Sequence, residues 1–447
     1  MNFFSQNRTL AEYPLGPHRW ALLLMTVLAA VLTSYEFQLA PVLSLLLPYV
    51  HLSKIGYGYF VAFTVVISAI SAFFGGPLAD RYGRVVIIDS CLAVVTVLVF
   101  ANLLVVGVKS FIVVRTIMGI VAGLMAGALA ALVRDMSPRL SRALAFGLLT
   151  IGPVGSNYLA NFIAGVTLPI YHTWQSQMWI MGFLGIAMYV PIISFLKDLS
   201  PELRMRIYQS EMAAIEAEGH RLPAAAELPS SARDAFAKLL KHFEPWLMVL
   251  PFTLSLSLYL AIQAFGPLMF TESFHYTPAD AAAMCAYFWL GNMGALIVTG
   301  LISDRLQMRK PIAVLGAVLI SALLLWWIPT FGEALPRGTM TVVATVLGCC
   351  LAIYTVPWAA QYSEMLEEIS PALQATGWAF YGLIVRGWIA ISAPLMLTVA
   401  VRYGWAAWMK FALAAFALFG LTMAFTHPST VPAGSVSTKP KPQPATA

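Results

Sequence analysis

Twelve apolar blocks govern what this chain can become. They fall at 19–42, 55–79, 85–107, 110–133, 141–168, 176–196, 246–270, 280–302, 311–331, 340–362, 372–400 and 405–426. Each reaches the length, about 20 residues, at which a helix crosses the hydrocarbon core of a bilayer. None alternates with period two, which excludes a membrane barrel, and in lipid a helix is the open-chain element that satisfies its own backbone. Composition agrees, with 60% of the 447 residues hydrophobic and 10% charged. Soluble domains carry about 25% charge. A soluble globule, a disordered or fibrous chain and a basic nucleic-acid binder are therefore excluded.

The first block follows Arg19. It is too long for a signal-peptide core and has no small-residue cleavage site after it, so it reads as a retained span. The cysteines, Cys91, Cys285, Cys349 and Cys350, all lie inside blocks without CxxC spacing. They read as small buried apolar residues, and neither a disulfide nor a metal site is expected.

The net charge of +6 comes from 26 basic and 20 acidic residues that lie mostly between blocks. When the loops are numbered alternately, one side collects Arg8, Arg19, Arg81, Arg84, Arg134, Arg139, Arg142, Arg305, Arg309, Lys310, Lys439 and Lys441. The other collects Lys54, Lys109, Arg337, Arg402 and Lys410. The richer side is expected to face the cytoplasm, and an even number of spans puts both termini there. The plasma membrane, as in a bacterial inner membrane, is the expected location.

One long polar segment, 197–244, interrupts the series with mixed charge. It reads as a cytoplasmic linker in which Pro201 opens a helix running to Glu218, and Ser231–Phe243 forms a short amphipathic stretch. The expected fold is an all-α polytopic membrane protein, with twelve transmembrane helices in two six-helix halves around a central cavity. The expected divisions are a tail over 1–18, a first half over 19–196, the loop over 197–244, a second half over 245–427 and a disordered tail over 428–447.

An internal repeat supports two halves. After the second block the chain reads Gly76-Pro77-Leu78-Ala79-Asp80-Arg81, and after the eighth Gly300-Leu301-Ile302-Ser303-Asp304-Arg305, 224 residues later. Likewise Ser137-Pro138 opens the fifth span and Ser370-Pro371 the eleventh, 233 residues later. Parallel repeats about an axis along the membrane normal are a transporter architecture, with the solute site near midplane between them.

The run from Gly76 to Arg84, with Leu78, Asp80, Arg81 and Gly83 in register, resembles the loop 2–3 motif of the major facilitator superfamily. The resemblance covers roughly residues 15 to 427 and implies a secondary transporter whose spans 1, 4, 7 and 10 line the cavity. It also implies a gating loop made of Gly76, Asp80, Arg81, Gly83 and Arg84, with a degraded second copy at Asp304 and Arg305. Glycine allows the close approach and tight turn, and a charge cluster can latch one state and release the other.

Ionisable residues inside spans are costly and point to function. Glu36, in span 1, and Arg115, in span 4, lie at similar depth in the outer third, since a helix rises 1.5 Å per residue. They are expected to pair and to carry proton coupling. Arg115 opens a stripe of Gly119, Gly123 and Gly127, which suits close helix packing. The stripe also resembles the span 4 motif of proton-coupled members of the superfamily. Arg386 sits near the middle of span 11, too deep to reach the headgroups, and is expected to bind an anion. Tyr35, Gln38, Asn157, Tyr259, Gln263, Tyr354, Trp358 and Gln361 are candidates for the rest of a solute site.

The function expected is proton-coupled symport of a small organic anion, an aliphatic or aromatic carboxylate. Gly152-Pro153-Val154-Gly155 partly resembles the span 5 motif of exporters in the same superfamily, which keeps a proton-antiporting exporter as the alternative. A transporter-like receptor signalling through 197–244 is the third reading. No Walker loop, histidine cluster, HExxH or nucleophile elbow occurs, so no enzyme activity, cofactor or metal is expected. The expected partners are a small solute, protons and the bilayer, with no nucleic acid, and the expected working unit is a monomer.

Overall fold

The computed structural model describes residues 9–135, 142–200, 202–204, 206, 232–306, 308–369 and 374–426. The expected 201–218 helix, the tail after His427 and the Ser-Pro repeats at 137–138 and 370–371 lie largely or wholly outside these residues.

The first crossing is not the continuous helix the sequence suggested. Helix α1 (Gly16–Tyr35) stops at Tyr35, residues 36–39 are not helical, a 3₁₀ turn follows at Ala40–Val42, and α2 (Leu43–Tyr49) resumes. Pro41 supplies the reason. It has no N–H for the carbonyl four residues earlier, that of Phe37, and it disfavours helix at the residue before it.

The remaining five crossings of the first half are α3 (Lys54–Tyr82), α4 (Arg84–Ala101), α5 (Val108–Asp135), α6 (Arg142–Tyr171) and α7 (Trp174–Phe195). A short helix, α8 (Ala232–Lys241), precedes the second half and falls in the expected amphipathic stretch. The second half contains α9 (Glu244–Phe274), α10 (Pro278–Leu306), α11 (Arg309–Trp327), α12 (Arg337–Ile369), α13 (Gln374–Tyr403) and α14 (Trp405–Phe425). Among the described residues, eleven of the crossings are long and apolar enough to span a membrane, and α6, with 30 residues, takes the fifth place.

The two halves repeat their tightest packing. In the first, Gly123 of α5 lies so close to α3 that a Cβ there would stand 2.3 Å from the Ser68 carbonyl oxygen. In the second, a Cβ at Gly348 of α12 would stand 2.1 Å from the Phe288 carbonyl oxygen of α10. Small residues permit such backbone approach where lipid offers no hydrophobic drive for helices to associate.

The halves meet through α3 against α13, α6 against α10, and the 3₁₀ turn and α2 against α9. Gly58 of α3 faces Pro394 of α13, and Gly165 of α6 faces Ala283 of α10. At the same end of the bundle, Lys54 pairs with Glu272, which also accepts from the Trp405 indole at 2.9 Å. This is the end opposite the α3–α4 turn.

That turn is closed by Gly83 at φ 98°, a conformation that a side chain would strain. It is held beside a strand pairing with no signature in the local sequence. Strand β1 (Thr9–Leu10) runs parallel to β2 (Asp198–Leu199), just after α7.

Candidate functional site

The unwound stretch after α1 organises the site. Without a helical donor from Pro41, the Phe37 carbonyl is open, and Arg115 Nη1 of α5 donates to it at 3.4 Å. Glu36, one residue earlier, turns the other way. It is fully buried, and its Oε1 accepts from the Thr96 hydroxyl of α4 at 2.6 Å. Gly185 of α7 gives it room, since a Cβ there would stand 2.6 Å from that oxygen. Oε2 has no partner among the described residues. The expected Glu36–Arg115 ion pair is therefore not formed. Successive residues at a helix break diverge, and these two groups end on opposite sides of the same segment.

Arg115 instead lines a cavity of about 350 Å³ between the halves, with Phe37 and Leu39 of the unwound stretch, Tyr57, Phe60, Thr64 and Ser68 of α3, and Arg386 and Ile389 of α13. The two arginines that the sequence singled out separately share this one space. No carboxylate lines it among the described residues. Arg115 is only 5% exposed, and its Nε and Nη2 have no hydrogen-bond partner among the described residues. Arg386 is exposed into the space, with Nη1 3.1 Å from where a Cβ of Gly382 would stand. One wall is aromatic: Phe60 lies 5.2 Å from Phe111, and Tyr57 meets Phe265 of α9 edge-on at 6.1 Å.

The other candidates are placed elsewhere. Tyr35 and Gln38 line a small void beside α6 and α7, and Gln38, in the unwound stretch, donates to the Ser34 carbonyl in the last turn of α1. Asn157 is fully buried and donates at 2.9 Å to the Pro153 carbonyl one turn earlier in α6. Tyr259 meets Trp289 edge-on at 5.3 Å, and Gln263 is half-buried one turn further along α9. Tyr354 and Trp358 are fully buried and stack on Phe252 of α9. Tyr354 bonds to Ser255, and Trp358 donates to the Met248 carbonyl at 3.3 Å. Gln361 donates to Thr426 at 3.4 Å. These three bind α12 to its neighbours and do not reach the arginine cavity.

At the gating loop, the Arg84 backbone N–H donates to Asp198 Oδ2 at 2.8 Å, and Arg84 Nη1 donates to the Ala131 carbonyl at 3.2 Å. Asp198 is buried and also pairs with Arg204 at 2.7 Å. Arg81 is exposed, over the Tyr82 ring at 5.3 Å, and Gly76 has open space beside it. The side chains of Asp80 and Asp304 are outside the described set, and Arg305 is exposed. In the second half Arg309 takes the part of Arg84, bonding to Glu364 of α12 at 3.1 Å and to Ser303 at 2.8 Å. Sequence reasoning missed Asp198 and Glu364. The only signal was an acidic residue at the end of a span, which short-range spacing cannot pair.

Twelve crossings in two repeated halves, with an arginine-lined cavity where the halves meet, define a polytopic membrane transporter. The chain belongs to the major facilitator superfamily, whose family model matches residues 22–394. No curated protein matches it in sequence. Among solved structures it is similar to a D-xylose-proton symporter, at 15% identity with a TM-score of 0.67, over 92% of this chain and 98% of that one. At that identity the likeness is one of fold.

Proposed function

We propose that the protein moves a small organic anion across the membrane by alternating access, coupled to protons. The cavity carries this reading: two guanidiniums, one from each half, face one space with no lining carboxylate among the described residues. Guanidinium stays charged and matches a carboxylate bidentately, so a cavity built this way selects for negative charge. Its volume of about 350 Å³ suits a small solute. Glu36 is the proposed proton carrier. Its carboxyl is buried beside the stretch that Arg115 holds, so a change in its charge would be felt at the cavity through residues 36–37. The similar fold of a protein named as a proton symporter supports the coupling.

In this reading the end bearing Lys54 and Glu272 is external and closed, and the solute enters or leaves on the gating-loop side. Gly76, Asp80, Arg81, Gly83 and Arg84, with Asp304 and Arg305, form the latch there. The protein works as a monomer in the plasma membrane.

The test is flux in proteoliposomes under an imposed pH gradient, over a panel of organic acids and neutral sugars. Gradient-driven uptake of acids, lost in Arg386→Ala with insertion intact, is the expected result. Uptake of sugars alone would overturn the anion reading.

A further inference from the structure

We infer that the solute of this cavity is a hydroxycarboxylate, with its carboxylate on Arg386 and its hydroxyl between Thr64 and Ser68 of α3. The inference rests on the anion reading above and deepens it.

The register of α13 on α3 brings these three residues to one depth. The helices run in opposite directions: α3 begins at Lys54, which pairs with Glu272, and α13 ends beside Trp405, which donates to the same Glu272. They touch where Gly58 meets Pro394, so closely that a Cβ at Gly58 would stand 2.7 Å from the Pro394 Cα. Arg386 lies eight residues before Pro394, about 12 Å along the axis at 1.5 Å per residue. Thr64 and Ser68 lie six and ten residues after Gly58, about 9 and 15 Å in the same direction. Arg386 therefore stands at a level between the two, and all three line the cavity. Arg115 stands one turn nearer the Lys54 end, because Gly119, four residues after it, is the residue of α5 that faces Thr64.

The two hydroxyls offer complementary atoms. Serine and threonine inside a helix commonly satisfy the hydroxyl on a carbonyl one turn earlier, as Thr33 does with Ala29 and Ser321 with Ala317. Thr64 follows that habit. It donates to the Val61 carbonyl at 2.9 Å, so its oxygen is left as an acceptor only. Ser68 departs from it. Its hydroxyl makes no hydrogen bond among the described residues, although the residue is half-buried and lines the cavity. Arg386 likewise makes none among the described residues, and its guanidinium donors are open to a carboxylate.

An alcohol group on the solute can donate to Thr64 Oγ1 and accept from Ser68 Oγ, which matches both partners at once. A ketone in its place accepts from Ser68 but has no proton for Thr64. A methylene does neither, and leaves the Ser68 hydroxyl unsatisfied once the cavity closes and excludes water. The site thus ranks hydroxy acids above keto acids, and keto acids above unsubstituted ones.

The test measures ligand-induced thermal stabilisation of the purified full chain, at a pH where the carboxyls are ionised. The probes are α-hydroxy, β-hydroxy, α-keto, β-keto and unsubstituted carboxylates of matched chain length. At the α or the β position, the hydroxy acid should bind at least about tenfold more tightly than the unsubstituted acid, the scale of one hydrogen bond lost in a closed site. The keto acid should fall between them. In Ser68→Ala the hydroxy acid should drop to the level of the unsubstituted acid, and Ser68→Thr, which restores a hydroxyl, should recover part of the difference. In Thr64→Val the hydroxy acid should drop to the level of the keto acid.

Unsubstituted acids binding the unaltered protein as tightly as hydroxy acids would overturn the inference and leave the anion reading standing. So would a hydroxyl preference that persists undiminished in both Ser68→Ala and Thr64→Val. Stabilisation by none of these carboxylates would remove the anion reading as well.

Discussion

The Arg115 guanidinium reaches the carbonyl of Phe37, 3.4 Å away, and not the carboxyl of Glu36 beside it. The bond exists because Pro41 withholds the N–H that would otherwise claim that carbonyl. One proline thus frees an acceptor, positions a cation at the cavity, and sends the neighbouring acid to the far side of the segment. Arg115→Lys keeps the charge but loses the fork. Its apparent affinity for the transported anion should fall about tenfold or more, read as a rise in KM in proteoliposomes, with expression unchanged. An unchanged KM would remove Arg115 from the solute site.

Glu36 should separate coupling from movement. Glu36→Gln is expected to exchange solute across the membrane at near-normal rates while failing to concentrate it when a pH gradient is imposed. Thr96→Val, which removes the one donor to that carboxyl among the described residues, should shift the pH dependence of uptake and cost about 1–3 kcal/mol of stability. Full accumulation by Glu36→Gln would take the coupling role from this residue.

Asp198 is buried between the Arg84 backbone and the Arg204 side chain. Removing it takes the acceptor from the Arg84 backbone N–H and one partner from Arg204, a loss of about 1–3 kcal/mol. Asp198→Ala should lower the melting temperature in detergent by several degrees. Asp198→Glu should recover part of the loss. A melting curve that does not move in Asp198→Ala would show that the contacts at the α3–α4 turn do not hold the fold.

The Lys54–Glu272 pair joins the halves at the end opposite that turn, with side chains 42% and 28% exposed. A half-exposed pair is worth about 0.2–1 kcal/mol, so its loss shifts a two-state balance only a few-fold. Lys54→Glu should increase labelling of engineered cysteines facing the cavity by an impermeant reagent added from that side. Lys54→Glu combined with Glu272→Lys should return labelling toward the original level. Equal labelling in all three proteins would remove the pair from gating.

Gly123→Val places a side chain where the Ser68 carbonyl already stands. Overpacking of this kind costs about 3 kcal/mol or more, because backbone cannot yield as a side chain can. Expression and monodispersity in size-exclusion chromatography should both collapse, whereas Gly76→Ala, with open space beside it, should be tolerated.

The crossings, the glycine stripe of span 4 and the two cavity arginines were legible in the sequence because each has a local signature. Hydropathy needs only a window, a glycine repeat only its spacing, and an arginine in an apolar block stands out alone. The partners were not legible. Thr96 lies 60 residues from Glu36, and Asp198 lies 114 from Arg84. Nothing local to either end announces the other. The aromatic groups of α12 misled for the opposite reason: Tyr354 and Trp358 are polar enough to suggest a solute site, yet both are consumed by Phe252 and its neighbours. The break in span 1 lay in plain view at Pro41, but its consequence required knowing what faced Phe37.

The pairing of Thr9 with Asp198 and of Leu10 with Leu199 also bears on the order of assembly. The arm before the first crossing finds its partner strand only after the sixth crossing has been synthesised and threaded. Until then the arm is untied and the Gly83 turn lacks its acidic clasp. The first half is thus fastened by a clasp drawn from its own two ends, which needs no residue of the second half.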